Sequence, residues 1–284
     1  MRITPLILPI LLLSACGTAP TTMDSMEHMD HSEGMTMSMQ SAEERLDQSP
    51  RHQEWVDVRN GDRIVRTFVV YPQRTDKAPI VLLIHENRGL NAWARSMADQ
   101  VAEAGYIAVA PDLLSDFDDT HAETADFAVE SDATKAISSL DPAQVTTDLH
   151  AVIAWAKTIP SATQTIASAG FCWGGSQSFR LATTSSELDA ALVFYGSGPT
   201  DAASYEKVSA PVFGFYGGAD ERVNATITSS EELMSKSDKQ YDYVIYDDAG
   251  HAFMRLGEDP AGDPSNVAAR EAAWERMKNI LSTL

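Results

Sequence analysis

The chain has 284 residues, of which 44% are hydrophobic. That is enough for one large core, but the chain is too short for two enzyme-sized domains. Its formal net charge of −20 would repel a phosphate backbone, so nucleic acid is excluded as an expected partner. The two cysteines, Cys16 and Cys172, lie in unrelated sequence contexts, and we expect no disulfide between them.

The N-terminus has the pattern of an export signal. Arg2 precedes an apolar run at residues 6–13 that is too short to span a bilayer permanently. The run ends in LSACG at residues 13–17, which resembles the lipobox of bacterial lipoproteins. The resemblance implies removal of residues 1–15, lipidation of Cys16 and a membrane anchor in the cell envelope. Glycine after the cysteine favours the outer membrane. A plain signal peptide containing a cysteine is the alternative.

Residues 16–48 are predicted to comprise the lipidated cysteine and a disordered linker, because they lack apolar periodicity. Eight linker side chains carry thioether or imidazole groups that suit copper: Met23, Met26, His28, Met29, His31, Met35, Met37 and Met39. The cluster resembles the Met/His-rich segments of periplasmic copper-handling proteins. A linker of biased composition that binds no metal is the alternative.

The segment 49–284 is predicted to be one domain in which strand and helix patterns alternate. Strands are predicted at residues 54–58, 64–71, 80–84, 107–110, 165–169, 190–195, 211–216 and 241–246. Helices are predicted at residues 93–104, 142–157, 173–182, 226–236 and 266–281. Asn60-Gly61 gives a hairpin turn between the first two strands. The alternation predicts an α/β fold with a mostly parallel eight-stranded sheet and helices on both faces.

A glycine-rich turn, GFCWGG at residues 170–175, lies between a predicted strand and a predicted helix. It has the G-x-S-x-G pattern of a nucleophile elbow, with Cys172 in place of serine. Such a turn holds the side chain at the carboxyl edge of the sheet and at a helix N-terminus, which favours thiolate. An inert buried cysteine is the alternative. We predict that Cys172 is a nucleophile.

Two further residues follow strands at the same predicted edge. Asp220 comes after the strand at 211–216, and His251 comes after the strand at 241–246. The order nucleophile, acid, histidine is that of this kind of elbow. We predict that His251 accepts the thiol proton and that Asp220 holds the ring in one tautomer. Asp247 and Asp248 are lesser candidates for the acid and are more typical of a turn.

No metal or cofactor is predicted in the domain. His85-Glu86 begins like a zinc motif, but Gly89 stands where the second histidine would be. His121 and His150 have no partners at ligand spacing, and we interpret both as structural.

Four segments together carry a family resemblance: HENRGL at 85–90, GYIAVAPD at 105–112, GFCWGG at 170–175 and GHAFMR at 250–255. With them, residues 54–284 resemble the dienelactone hydrolase family, which are small α/β-hydrolases with a Cys-His-Asp triad. The resemblance implies an α/β-hydrolase fold and hydrolysis of an ester, lactone or thioester bond in a small molecule. We expect the protein to act as a monomer.

The resemblance also assigns roles around the nucleophile. It implies that Glu86 rests beside Arg255 and deprotonates the thiol when an anionic substrate engages this arginine. A purely structural Glu86–Arg255 ion pair is the alternative. The backbone N–H groups of Asn87 and Trp173 are expected to form the oxyanion hole, because they lie after the third strand and after the nucleophile.

The sequence departs from the family pattern at one point. The family's archetype holds the substrate carboxylate with a second arginine between the fourth strand and the nucleophile. Residues 111–171 contain no arginine, and their only lysines are Lys135 and Lys157. Dienelactone is therefore not the expected substrate. One rival is a copper-handling envelope lipoprotein with a bystander hydrolase domain. A second is a serine-type acyltransferase or peptidase, which the cysteine at the elbow disfavours.

Overall fold

The computed structural model describes residues 41–284. Within this part of the chain, a single sheet of eight strands forms the centre of the domain. The predicted export signal, Cys16 and the Met/His cluster at residues 23–39 lie outside the described residues, so the predictions made for them stay predictions.

The sheet contains the eight strands that the sequence predicts, and most neighbouring strands are parallel. Its strands are β1 (Gln53–Asn60), β2 (Arg63–Val70), β3 (Ala78–Ile84), β4 (Ile107–Pro111), β5 (Ala162–Phe171), β6 (Ala190–Phe194), β7 (Val212–Gly217) and β8 (Tyr241–Tyr246). They are arranged in the order β1-β2-β4-β3-β5-β6-β7-β8. Strand β2 is antiparallel to both of its neighbours, and all other pairs are parallel. The carboxyl ends of β3 to β8 therefore share one edge, where ligands gather in open α/β sheets.

All five predicted helices are present, together with five that were not predicted. The predicted ones are α2 (Ala92–Glu103), α4 (Pro142–Ala156), α5 (Trp173–Ala182), α8 (Ile227–Lys236) and α10 (Pro264–Leu281). The others are α1 (Ala42–Gln48), α3 (Glu130–Ser139), α6 (Ala202–Glu206), α7 (Glu221–Asn224) and α9 (Phe253–Leu256). Among residues 41–284, no helix combines the length and apolarity that crossing a membrane requires.

The core lies on both faces of the sheet. Along β3, Val81 and Leu83 face one apolar cluster, which α2 and α10 cover, while Ile80 and Leu82 face a second cluster, which α4 covers. Since side chains alternate along a strand, this division shows that β3 is buried on both sides. Burial on both sides explains why the sequence of β3 is a continuous apolar run.

The N-terminal boundary of the domain lies earlier than predicted. Composition assigned residues 42–48 to the linker, but they form helix α1. Ser41 accepts a hydrogen bond from the Glu44 N–H at 3.1 Å, and the Glu44 carboxylate accepts from the Ser41 N–H at 2.8 Å. This capping box starts the helix, and an ion pair of 3.2 Å between Arg45 and Asp99 attaches it to α2. The linker prediction missed these long-range contacts.

A cluster of four polar residues fixes this segment, and we call it the N-terminal anchor: Arg45, Ser49, Arg51 and Asp99. The Asp99 carboxylate is fully buried. It accepts hydrogen bonds from Arg51 Nε at 2.8 Å and Arg51 Nη2 at 2.6 Å, and another from the Ser49 hydroxyl. The bond to Asp99 raises the pKa of Arg51. Several charge-assisted bonds thus compensate the burial of one carboxylate.

Candidate active site

Cys172 lies in a tight turn between β5 and α5. Its backbone has φ 57° and ψ −116°, a conformation that non-glycine residues rarely adopt. A Cβ at Gly174 would overlap the carbonyl oxygens of Ile84 and His85, and a Cβ at Gly170 would overlap the Gly174 carbonyl. Only glycine fits at these two positions, so the predicted elbow has a steric cause. The strained turn presents the sulfur at the carboxyl edge of the sheet.

Three side chains from three strand ends form a hydrogen-bonded chain. Cys172 Sγ lies 3.0 Å from His251 Nε2, and His251 Nδ1 lies 2.5 Å from Asp220 Oδ2. Asp220 is buried, whereas the His251 side chain keeps 31% of its exposure. The structure thus brings together the three residues that the sequence singled out. We call them the Cys–His–Asp relay.

Local structure positions the two partners of the sulfur. Asp220 caps the N-terminus of α7 and accepts a hydrogen bond from the Val223 N–H at 3.3 Å. The loop before His251 is held by a hydrogen bond of 2.9 Å from the Gly250 N–H to the Asn266 side chain. The other acid candidates, Asp247 and Asp248, are exposed in the turn after β8. The geometry therefore favours Asp220 as the partner of the ring.

The electrostatics of the relay favour a basic imidazole. Burial by itself lowers the pKa of His251, but the hydrogen bonds with Cys172 and Asp220 outweigh it. The net effect raises the pKa of His251 above its ordinary value. A raised pKa makes the ring a better acceptor for a proton from the neighbouring thiol.

Glu86 lies at the end of β3 and is almost completely buried. Its Oε2 accepts a hydrogen bond from Arg255 Nε at 3.0 Å, and its Oε1 lies 3.4 Å from the Tyr195 hydroxyl. Arg255 comes from α9, the short helix that follows His251. The structure therefore brings Glu86 and Arg255 together, as the sequence predicts, and adds Tyr195 as a third member.

Tyr195 is the residue that the sequence reasoning missed. It follows β6 with φ 42°, and its ring meets the His251 ring edge-on at 5.1 Å between centroids. Burial, followed by the charge of Glu86, raises the pKa of Tyr195 well above its ordinary value. The hydroxyl therefore stays protonated and can donate to Glu86. Its position at the carboxyl end of a buried strand is the signal that could have identified it.

The two backbone groups expected to hold an oxyanion are placed at this edge. Trp173 is the first residue of α5, where an N–H has no acceptor within the helix. The Asn87 N–H follows Glu86 in the loop after β3 and makes no hydrogen bond to backbone within residues 41–284. Both N–H groups are thus available to a ligand atom.

His85 holds the loop that carries Glu86 and Asn87. Its Nδ1 donates to the Glu86 carbonyl at 2.7 Å, and its Nε2 accepts from the Leu113 N–H at 3.2 Å. Burial lowers the pKa of His85, against the attraction of nearby Asp112, so the ring is neutral. Both ring nitrogens are occupied by backbone groups, which leaves His85 a structural role.

His121 and His150 lie away from the relay and contact other polar residues. His121 Nδ1 lies 2.8 Å from Asp118 at the surface, and His150 contacts Thr184 at 3.3 Å. In the part of the chain that the structure covers, no three His, Cys, Asp or Glu side chains are grouped closely enough to hold a metal ion.

The sequence of the domain is similar to those of known hydrolases. Residues 65–284 match the profile of the dienelactone hydrolase family. A Methylorubrum extorquens protein named carboxymethylenebutenolidase is 30% identical over 205 residues, which are 68% of this chain and 69% of that protein. A Saccharolobus solfataricus protein of the same name is 29% identical over 246 residues, or 76% of this chain and 93% of that protein.

Solved structures show the same fold at low identity. A dienelactone hydrolase structure from Klebsiella pneumoniae aligns with a TM-score of 0.72 and 22% identity, and covers 82% of this chain and 99% of its own. A dienelactone-hydrolase-like promiscuous phosphotriesterase from metagenomic libraries aligns with a TM-score of 0.70 and 23% identity, and covers 82% and 98%. At these identities the likeness establishes the fold alone, an α/β-hydrolase fold.

Proposed function

The chain belongs to the dienelactone hydrolase family and is a hydrolase, and on that premise we propose that it cleaves a carboxylic ester, lactone or thioester through Cys172. The observation that carries this proposal is the Cys–His–Asp relay, with contacts of 3.0 Å and 2.5 Å at the carboxyl edge of the sheet. An inert cysteine would have no need of a buried acid behind its histidine.

Each step of the proposed reaction uses a side chain at the carboxyl edge of the sheet. His251 Nε2 takes the proton of Cys172, and the sulfur attacks the substrate carbonyl carbon. The tetrahedral intermediate collapses to a thioester as His251 returns the proton to the leaving oxygen or sulfur. Water then attacks the thioester, His251 takes its proton, and Cys172 leaves as a thiol after reprotonation. Asp220 stabilises the charged ring throughout.

The developing oxyanion is the part of the reaction that needs fixed donors. We assign this role to the N–H groups of Asn87 and Trp173, because neither donates to a backbone carbonyl within residues 41–284. Such donors each contribute about 3 kcal/mol to transition-state stabilisation. Both belong to rigid elements, since the glycine contacts of the elbow and the bonds of His85 hold their backbones.

Activation of the thiol by substrate is the finer part of the proposal. Glu86 is buried, and it accepts one hydrogen bond of 3.0 Å from Arg255 and a longer one of 3.4 Å from Tyr195. An anionic substrate that competes for Arg255 would release Glu86. For such substrates Glu86 would take the thiol proton in place of His251, and that proton would then go to the leaving group as above.

The curated relatives are named carboxymethylenebutenolidase, and a lactone of that class is one candidate substrate. We propose a different acid or alcohol portion for this chain, because residues 111–171 contain no arginine. The elbow cysteine also disfavours the serine-type acyltransferase or peptidase.

The proposal is tested on the full chain with a panel of chromogenic esters, thioesters and lactones. We expect Cys172→Ala to abolish hydrolysis and to leave the circular dichroism spectrum unchanged. Cys16→Ala is the matched control, because it removes the other cysteine and should keep the activity. Activity on p-nitrophenyl acetate that survives in Cys172→Ala within a few-fold would show that the nucleophile is assigned wrongly.

We also propose, from the lipobox and the glycine that follows its cysteine, that the hydrolase is anchored through Cys16 to the outer membrane. Cys16→Ala should release the protein into the soluble fraction and prevent metabolic labelling with palmitate. Label retained in this variant would contradict the anchor. Copper binding by residues 23–39 stays a prediction, and a Cu(I) competition titration of that peptide decides it.

A further inference from the structure

A cavity of about 420 Å³ lies at the end of the sheet formed by β1 and β2, where α2 and α3 also line it. Trp55, Arg66, Arg88, Arg95 and Phe127 are among the residues that line it. Neither Cys172 nor Arg255 does. The cavity is thus a separate compartment, which the roles assigned above leave unexplained.

Most charges in this cavity neutralise one another. Arg66 Nε lies 2.7 Å from Glu123, and Arg88 Nη1 lies 2.9 Å from Glu130. The Asp112 carboxylate accepts hydrogen bonds of 2.7 Å from the Thr124 N–H and hydroxyl. Glu43 is the remaining acidic residue of the lining, and it is an exposed residue of α1.

Arg95 is different from the other cations of the cavity. It is half-buried in the first turn of α2, yet no ion pair or side-chain hydrogen bond to it is formed within residues 41–284. The protein has 41 acidic and 21 basic side chains, so a half-buried arginine without an acid would be unexpected unless it served a ligand. Arg88 is also accessible, because its bridge to Glu130 is partly exposed and such bridges exchange readily.

The cavity also has apolar lining that suits a hydrocarbon chain. Trp55 keeps 37% of its exposure, and the Arg66 guanidinium lies 4.8 Å above its ring. Leu90, Phe127 and Ala133 add further apolar surface. A ligand with an apolar body and one anionic end matches this combination.

The sheet order gives the shortest distance between the cavity and the nucleophile. Asp112 marks the carboxyl end of β4, Cys172 marks that of β5, and β3 lies between these strands. Neighbouring strands are about 4.8 Å apart, so the Asp112 side of the cavity lies roughly 10 Å from Cys172 across the edge, and the side lined by β1 and β2 lies further away. An extended acyl chain of medium length covers the shortest of these distances.

We propose that this cavity is a distal subsite for a carboxylate, and that the preferred substrates are esters whose acyl chain ends in a second, anionic carboxylate held by Arg95 and Arg88. This inference rests on the proposed function and names its substrate class. It differs from recognition at Arg255, because it acts on the far end of the chain rather than beside the scissile bond.

The test compares p-nitrophenyl esters in the full chain: the monoester of eight-carbon suberic acid, the neutral octanoate, and the monoester of four-carbon succinic acid. Wild type should prefer the suberate monoester to the octanoate. Arg95→Ala should lower kcat/KM for the suberate monoester about tenfold, mainly through KM, since one charge-assisted contact is lost. Octanoate and the short succinate ester, which cannot reach Arg95, should change less than about twofold.

Arg59→Ala is the matched control, because Arg59 is an exposed arginine of β1 that does not line the cavity. It should leave all three substrates unchanged. Arg95→Lys should restore part of the preference, and added salt should reduce it in wild type. Equal losses on suberate and octanoate in Arg95→Ala, or no loss on either, would overturn the subsite.

Failure of the subsite is distinguishable from failure of the proposed function. If octanoate is hydrolysed through Cys172 but Arg95→Ala changes nothing, the hydrolase assignment stands and the subsite is wrong. If no ester is cleaved, the proposed function fails, and calorimetric titration of free suberate still tests the cavity. Binding to wild type that is lost in Arg95→Ala supports the subsite, and equal binding or none overturns it.

Discussion

Two regions of this molecule bury a carboxylate against arginine, and they do so in different ways. In the N-terminal anchor, Asp99 is bound by Arg51 through two nitrogens at 2.8 and 2.6 Å, by Arg45 and by the Ser49 hydroxyl. At the candidate active site, Glu86 has one arginine contact of 3.0 Å and a tyrosine contact of 3.4 Å.

The difference teaches how structural and mobile ion pairs can be told apart. A bidentate pair with further donors loses several charge-assisted bonds if either partner moves, so the anchor is expected to stay closed. A carboxylate held through one nitrogen of Arg255 loses less and can exchange that partner for another anion. The first region should therefore govern stability, and the second should govern reactivity.

The largest effect that sharpens this comparison is expected at the relay. His251→Ala should lower kcat for a neutral ester by about a thousandfold, because the general base is removed. The melting temperature should change little, since the His251 side chain is 31% exposed. His150→Ala, which loses only a contact to Thr184, is the control for both measurements. A loss of less than tenfold would contradict the relay.

The anchor should show the opposite behaviour. Asp99→Ala removes the bidentate partner of the nearly buried Arg51 and leaves it only Glu103 at 3.7 Å, so the free energy of unfolding in urea should fall by about 3 kcal/mol. Activity per folded molecule should be unchanged. Asp57→Ala, at an exposed position of β1, should stay within about 0.5 kcal/mol of wild type. A selective loss of activity in the folded Asp99 variant would break the distinction.

The Glu86–Arg255 pair should affect substrates differently. Arg255→Ala should reduce kcat/KM for a short anionic ester at least about tenfold, because the group that the anion engages is lost. A neutral ester should be affected much less, and Glu86→Gln separates loss of the arginine from loss of the carboxylate. The loss of stability should be smaller than for Asp99→Ala. Equal losses on both esters would make this pair structural, like the anchor.

The smallest effect concerns the titration of His251. Because Cys172 helps to raise the pKa of His251, Cys172→Ala should lower it, which a nuclear magnetic resonance titration of the imidazole measures. A raised folded pKa stabilises the protein below the unfolded pKa, and this stabilisation is lost as pH rises through the folded pKa. Relative to wild type, the variant should therefore lose more stability at about pH 5 than at about pH 9. An unchanged imidazole titration would contradict the contact.

Much of the fold could be predicted because its signals are local. Strands such as β3 are continuous apolar runs, and α4 has an apolar face together with a proline at its first turn. Helix α1 has a local signal in the Ser41–Glu44 capping box, which the linker composition around it concealed. Helices α6, α7 and α9 have five residues or fewer, too few for a periodic pattern. Helix α3 buries mainly two alanines and one isoleucine, which give a weak periodic pattern.

The residues of the candidate site also divide into those that have a local sequence signal and those that have none. Cys172, Asp220 and His251 could be predicted because each follows a strong strand, and parallel strands bring their carboxyl ends together. The second contact of Glu86 could not be predicted, because Tyr195 belongs to no motif and its role depends on a positive φ at a strand end. The cavity around Arg95 was also missed. It is assembled from β1, β2, α2 and α3, whose proximity no sequence spacing reveals.

The accessible sulfur at the elbow also allows the molecules with a reactive Cys172 to be counted by chemical labelling. Cys172 is half-exposed, and it is the one cysteine between residues 41 and 284. An alkylating reagent such as iodoacetamide should therefore add a single mass increment to this part of the chain. The alkylated fraction of the peptide that contains Cys172, read by mass spectrometry after digestion, would report how many molecules in a preparation carry an accessible thiol at this site. Turnover numbers could then be expressed per competent site rather than per milligram of protein.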